Sequence, residues 1–121
     1  MDLRVVMQTD LVSVLPHLPA VKAVEVMEEW GFRHFPVVDE HNLLVGVVSH
    51  VDLLRNRGHL ESMTIFDVMT RTPLVLEPSD SVADAARLMI AHKVSCIPLM
   101  EGGKLVGIVT TIDLLNLLAR V

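Results

Sequence analysis

The residues of this chain best suited to chemistry are two carboxylates, Asp52 and Asp113, each three positions after a hydroxyl residue, Ser49 and Thr110. Both belong to one phrase written twice: Gly46-Val47-Val48-Ser49-His50-Val51-Asp52 and Gly107-Ile108-Val109-Thr110-Thr111-Ile112-Asp113. Each is a β-branched run that opens with Gly, breaks at the hydroxyl and leads into an apolar helical stretch. A corner of that kind aims a hydroxyl, a carboxylate and the helix's unpaired N–H groups at one spot, a natural place for a sugar and its phosphate. The same spacing is also a capping box, with Ser49 or Thr110 at the N-cap and Asp52 or Asp113 at N3. Both readings can hold together, so the surrounding chain has to decide.

Other reactive residue types point nowhere so definite. The six histidines, His17, His34, His41, His50, His59 and His92, show no i,i+4 pair and no cysteine at zinc spacing, which predicts surface or turn positions and no metal site. Cys96, two residues before Pro98 in an apolar run, reads as a core thiol rather than a nucleophile. No Ser-His-Asp order, phosphate-binding loop or Gly-x-Gly-x-x-Gly occurs, so no enzyme is expected.

The elements that must hold the two corners repeat as well. Met7 aligns with Met69, Pro16 with Pro78, Ala23 with Ala85, Met27 with Met89 and Pro36 with Pro98. One extra residue in the first copy's turn then shifts the register, and Leu44-Val45-Gly46 meets Leu105-Val106-Gly107. Each copy reads strand, helix, strand, strand, helix. Short first strands are predicted at Val12 to Val14 and Leu74 to Leu76, ending at Pro16 and Pro78. The first helices keep one stripe at i, i+3, i+4, i+7: Ala20, Ala23, Val24, Met27 and Val82, Ala85, Ala86, Met89. Pro19 suits the first turn of one, and Ser81 with Asp84 predicts a capping box for the other. Gly31 is a good stop for the first, where the second has Lys93. Glu101-Gly102-Gly103-Lys104 predicts a tight hairpin, and Asp39-Glu40-His41-Asn42 a longer turn. The closing helices are predicted over roughly 50–57 and 111–119, and Thr64 with Asp67 caps a short turn between the copies.

Composition narrows the partners. A chain of 121 residues with 51% hydrophobic content is enough for one well-filled core. The net charge of −5, with Lys and Arg scattered, argues against nucleic acid and anionic membrane. Trp30, Phe32, Phe35 and Phe66 are the whole aromatic content, too sparse for a base-stacking platform. One cysteine precludes an internal disulfide, no apolar run reaches membrane-spanning length, and Asp2 and Arg4 sit where a signal peptide would be apolar. A cytoplasmic protein is expected.

With these residues in place, the chain resembles a tandem cystathionine β-synthase (CBS) domain pair, also called a Bateman module. The resemblance runs from Val6 to about Leu118 and rests on the Val68-Met69 entry, the Pro of the second strand and Gly-x-x-Ser/Thr-x-x-Asp in both copies. It implies an α+β fold of two βαββα repeats, about 5–57 and 67–121 with a linker over 58–66, packed face to face by a pseudo-twofold. It further implies pairing into a four-motif disc as a homodimer. The implied function is a regulatory sensor for AMP, ADP, ATP, S-adenosylmethionine or a related adenosine compound, with no obligatory cofactor, acting on a partner protein. A ligand-free structural dimerisation module is the competing function.

In the family, the signature Asp holds the ribose, and the Ser/Thr sits near ribose or phosphate. Carried over, one cleft has Val47, Ser49, His50 and Asp52 facing Leu74, Val94, Ser95 and Pro98. The other has Ile108, Thr110, Thr111 and Asp113 facing Val12, Phe32, Arg33, His34 and Pro36. Arg33 and His34 stand where the second copy has Ser95 and Cys96, so, with the implied pseudo-twofold, a phosphate is expected in the Asp113 cleft and a less anionic ligand, or none, in the other. His50 lends that second cleft some positive character, and an ordinary solvated Arg33 is the alternative. Trp30 and Phe32 are open between core, dimer contact and adenine platform.

Overall fold

The computed structural model describes residues 1–71 and 73–120, and its contacts divide the chain into two compact units. One is Val12–Pro73; the other joins Met1–Leu11 to the chain from Leu74 onward.

In the first unit, among the described residues, Val14 forms a single parallel bridge, to Val37. Its N–H donates to the Pro36 carbonyl and its carbonyl accepts from Val38 N–H, both at 3.0 Å. The predicted first strand stops at that bridge because Pro16 has no N–H with which to extend the ladder. Helix α1 (Ala20–Trp30) buries Ala20, Ala23 and Met27 along the expected stripe. Pro19 stands at its N-cap rather than inside the first turn and gives no side-chain cap. The Ala20 N–H donates instead to the Met63 carbonyl at 2.9 Å. Gly31 closes the helix at φ 77°, the left-handed conformation a Schellman-type end requires.

Strands β1 (His34–Val38) and β2 (Leu44–Ser49) pair antiparallel, and helix α2 (His50–Arg55) follows directly. This helix is two residues shorter than predicted. Asn56 ends it, its side-chain amide donating to the Asp52 carbonyl at 2.8 Å. Helix α3 (Ile65–Val68) carries the predicted Thr64–Asp67 capping box, and β3 (Thr70–Arg71) then pairs antiparallel with β2 at Gly46 and Val47. Phe35, Val37, Val48, Ala20, Ala23 and Ile65 form the fully buried centre of this unit.

The second unit repeats the plan, with Leu76 bridged in parallel to Leu99 in place of the predicted strand. Helix α4 (Val82–His92) buries Ala85 and Met89. Only half of its predicted capping box forms: the Ser81 hydroxyl accepts from Asp84 N–H at 2.9 Å, while the Asp84 carboxylate turns to Arg87 at 2.8 Å. Lys93 ends the helix at φ 54°, the conformation Gly31 adopts in the first unit. Strands β4 (Cys96–Glu101) and β5 (Lys104–Thr110) form the hairpin, turned by Gly102 and Gly103 at φ 59° and 77°. Two consecutive positive φ values make the two-residue turn that matches strand twist. Helix α5 (Thr111–Ala119) closes the unit over the predicted span.

The start of the chain completes this second unit. Leu3 is fully buried in its core beside Ala85, Ile97, Leu99 and Val109. The Val82 N–H donates to the Met1 carbonyl at 3.0 Å, as Ala20 does to Met63. Gln8 bridges Ile108 as Thr70 pairs with Val47. Each compact unit therefore takes its last segment from the start of the other repeat's sequence.

Candidate functional site

Each unit carries one strand-to-helix corner. At the first, β2 ends at Ser49 in an extended conformation, and Ser49 caps α2. The Asp52 Oδ2 accepts from Ser49 N–H at 2.8 Å and from the Ser49 hydroxyl at 3.0 Å, and Asp52 N–H approaches Ser49 Oγ at 3.3 Å. The carboxylate is thus pinned through one oxygen. Among the described residues no donor of this unit reaches Asp52 Oδ1. The corner is half-buried, above a buried Val47.

Strand β1 brings a cation to the same place. The His50 N–H donates to the Arg33 carbonyl at 2.9 Å, and the Arg33 Nη1 lies 3.4 Å from His50 Nδ1. The resemblance assigns Arg33 to the ligand of Asp113; in its own unit the guanidinium stands against His50, two residues from Asp52. The cause is register: β1 and β2 pair His34 with Ser49, so the residue before His34 must lie beside the one after Ser49. His34 is half-buried at the start of β1, and Pro36 is fully buried opposite Val47. Phe32 packs on the core with its ring 6.2 Å from that of Phe35, and Val12 packs on the same core. Trp30 is 68% exposed, which leaves it outside the core.

The second corner is built alike and occupied differently. Thr110, buried, caps α5; Asp113 Oδ2 accepts from Thr110 N–H at 2.8 Å, and Asp113 N–H donates to Thr110 Oγ1 at 3.2 Å. Thr111 N–H donates to the Ser95 carbonyl at 3.0 Å, the counterpart of His50 and Arg33. Ile108 and Pro98 are buried opposite each other on β5 and β4, while Val94 and Leu74 are half-buried. Here the side chain of Gln8 reaches the carboxylate: its Nε2 donates to Asp113 Oδ1 at 2.9 Å and Oδ2 at 3.1 Å. Sequence reasoning missed Gln8. Its one trace in the sequence is an amide standing where the other copy has Thr70.

The Asp113 carboxylate also acts on Cys96. Burial pushes that thiol up to about 12, and the nearby negative charge of Asp113 adds to the shift. So high a value leaves almost no thiolate at neutral pH, in line with a packing role.

The glycine of each signature is explained by a close approach. A Cβ on Gly46 would lie 2.7 Å from both the Thr70 carbonyl and the Met69 sulfur, and one on Gly107 would lie 2.9 Å from the Gln8 carbonyl. Only glycine lets the extra segment cross the strand there. Among the described residues no helix is long and apolar enough to cross a membrane, and no cluster of His, Cys, Asp and Glu could hold a metal ion.

The CBS domain family model matches twice, over residues 2–59 and 65–120. An inosine-5'-monophosphate dehydrogenase of Bifidobacterium longum is 34% identical over 111 residues, covering 88% of this chain and 20% of that protein. The CBS domain-containing protein CBSX1, chloroplastic, of Arabidopsis thaliana is 31% identical, covering 84% of this chain and 56% of that protein. The chain therefore spans a fifth of the dehydrogenase and just over half of the plant protein. Among solved structures, CBSX2 in complex with AMP superposes with TM-score 0.83 at 31% identity, covering 98% of this chain and 96% of that one. The CBS domain pair of protein MJ0100, solved with 5'-methylthioadenosine and S-adenosyl-L-methionine, superposes with TM-score 0.89 at 24% identity, covering 98% and 99%, which speaks to the fold. Two signatures in register, two matched domains and a shared fold thus make this chain a member of the CBS domain family, with two CBS domains in tandem.

Proposed function

We propose that the chain is a non-catalytic regulatory module that binds an adenosine compound (AMP, ADP, ATP or S-adenosylmethionine) and passes the resulting change of shape to a partner protein in the cytoplasm. The observation that carries this is the pair of capped carboxylates, Asp52 and Asp113, each fixed through Oδ2 at a strand-to-helix corner. A carboxylate already held by its own capping box needs no reordering to accept the two hydroxyls of a ribose. The relative solved with AMP supports the ligand class. The resemblance gives Arg33 and a phosphate to the Asp113 ligand; Arg33 standing beside His50 in its own unit supports a phosphate contact at the Asp52 corner instead. Apolar residues exposed at matching places on α2 and α5, Val51 with Ile112 and Leu54 with Leu115, support assembly as a homodimer.

Titration calorimetry with adenosine and AMP tests the reading. Asp52→Asn and Asp113→Asn are each expected to lose one binding event or weaken it about ten- to hundredfold, because a hydrogen bond to a charged acceptor contributes roughly 1.5–3 kcal/mol. Arg33→Ala is expected to weaken AMP more than adenosine; equal loss for both would remove Arg33 from phosphate binding. A structural dimerisation module is the second reading, favoured by the capping boxes, which by themselves account for Ser49, Thr110 and both aspartates. Thermal melting separates the two. Ligand at a hundred times its dissociation constant adds about 2.7 kcal/mol and raises the midpoint by several degrees, whereas empty corners leave it unmoved.

A further inference from the structure

We propose that Gln8 is a built-in competitor for the Asp113 corner, which makes the two corners unequal: the Asp52 corner fills first, and the Asp113 corner fills only by exchanging the Gln8 amide for ligand hydroxyls. The inference rests on the reading that these carboxylates hold ribose. Its basis is a difference between otherwise matching corners. Both aspartates are pinned through Oδ2 by their own capping boxes. The Gln8 Nε2 then spans both oxygens of Asp113, at 2.9 and 3.1 Å, whereas no donor of its unit reaches Asp52 Oδ1 among the described residues.

The chemistry fixes which end of the amide points inward, because a carboxylate accepts only and the carbonyl end of Gln8 would face it unfavourably. Position is fixed too. Gln8 N–H donates to the Ile108 carbonyl at 2.8 Å and Ile108 N–H donates back at 3.0 Å, so the residue is locked onto β5 two positions from Thr110. Gly107 permits that contact, since any side chain there would strike the Gln8 backbone. The residue paired at the matching place in the first unit is Thr70, opposite Val47. Its side chain is too short to span a carboxylate as the Gln8 amide does, and it makes no hydrogen bond to Asp52 among the described residues.

A ribose arriving at Asp113 must displace an amide that already occupies the oxygen a cis-diol needs. The amide is exposed and returns to water without loss of hydrogen bonding, so the expected penalty is modest, about five- to tenfold in affinity. The first unit lacks this penalty.

The test uses adenosine, which is uncharged and reports on the carboxylate alone, titrated calorimetrically into the full chain. Asp52→Asn leaves the Asp113 corner as the main site. Adding Gln8→Thr, the residue of the other copy, or Gln8→Met, which keeps the length and removes the donor, is expected to tighten adenosine about five- to tenfold in that background. Neither substitution is expected to tighten it when Asp113→Asn is present instead. Unchanged or weaker adenosine binding in both double variants, with the unsubstituted chain binding normally, overturns the competitor role and leaves the adenosine reading standing. A gain with Thr alone overturns the hydrogen-bond basis in favour of bulk. No binding of adenosine or AMP to any form overturns the adenosine reading and the competitor role together.

Discussion

Cys96 sits one residue before a fully buried Ile97 on β4, with the Asp113 carboxylate nearby, and both surroundings oppose a thiolate. With its titration pushed up to about 12 from an ordinary 9.0, it carries about a thousandfold less thiolate at neutral pH than a free thiol. Maleimide or iodoacetamide at pH 8 is therefore expected to modify the folded chain at least a hundredfold more slowly than the chain in urea. The linkage has a definite sign. A folded value above the unfolded one stabilises the neutral thiol, so the contribution is complete below about pH 9 and is lost as pH rises toward 12. Urea midpoints measured at pH 8 and pH 10.5 are expected to fall for the natural chain more than for Cys96→Ala.

Among the elements, the third segment laid on each hairpin is the least forgiving. It crosses β2 at Gly46 and β5 at Gly107, where a Cβ would meet backbone oxygen at 2.7 and 2.9 Å. Gly46→Ala and Gly107→Ala are each expected to cost about 1–3 kcal/mol by overpacking. The cost should be larger at Gly46, where the Met69 sulfur is struck as well. Differential scanning calorimetry reads both, as a midpoint several degrees lower. The hairpin and the capping boxes at Ser49 and Thr110 were legible in the sequence because each depends on residues three or four apart. Asp84 shows the limit of such reasoning: its spacing from Ser81 is right, yet Arg87 one turn on takes its carboxylate. The first strands show the same limit. Val14 and Leu76 have the residue types of a strand, but among the described residues each finds hydrogen-bonding partners for a single bridge.

For the whole molecule, the consequential feature is the exchange of segments between repeats. The sequence starts the first repeat at about residue 5, and Leu3, just before it, is fully buried in the core of the second unit. Ile65, at the matching place in the repeat, is fully buried in the core of the first. Leu3→Ala is accordingly expected to cost about 2–5 kcal/mol, as much as Ile65→Ala. Chemical denaturation of both variants checks it; a Leu3→Ala midpoint equal to that of the natural chain would contradict the exchanged arrangement.

By itself the sequence determined the duplication, the helix stripes, the capping boxes at Ser49 and Thr110, the two signature corners and hence the family, because all of these follow from residue types at short, regular spacing. It also located Asp52 and Asp113 and the hydroxyl residues that pin them. Only the tertiary structure decided that Met1–Leu11 completes the second unit, that Arg33 stands at the Asp52 corner of its own unit, and that Gln8 covers Asp113. Those contacts join residues far apart in the chain, up to the 105 positions between Gln8 and Asp113. No periodicity or local spacing encodes a contact at that range; strand register and a close glycine crossing create it.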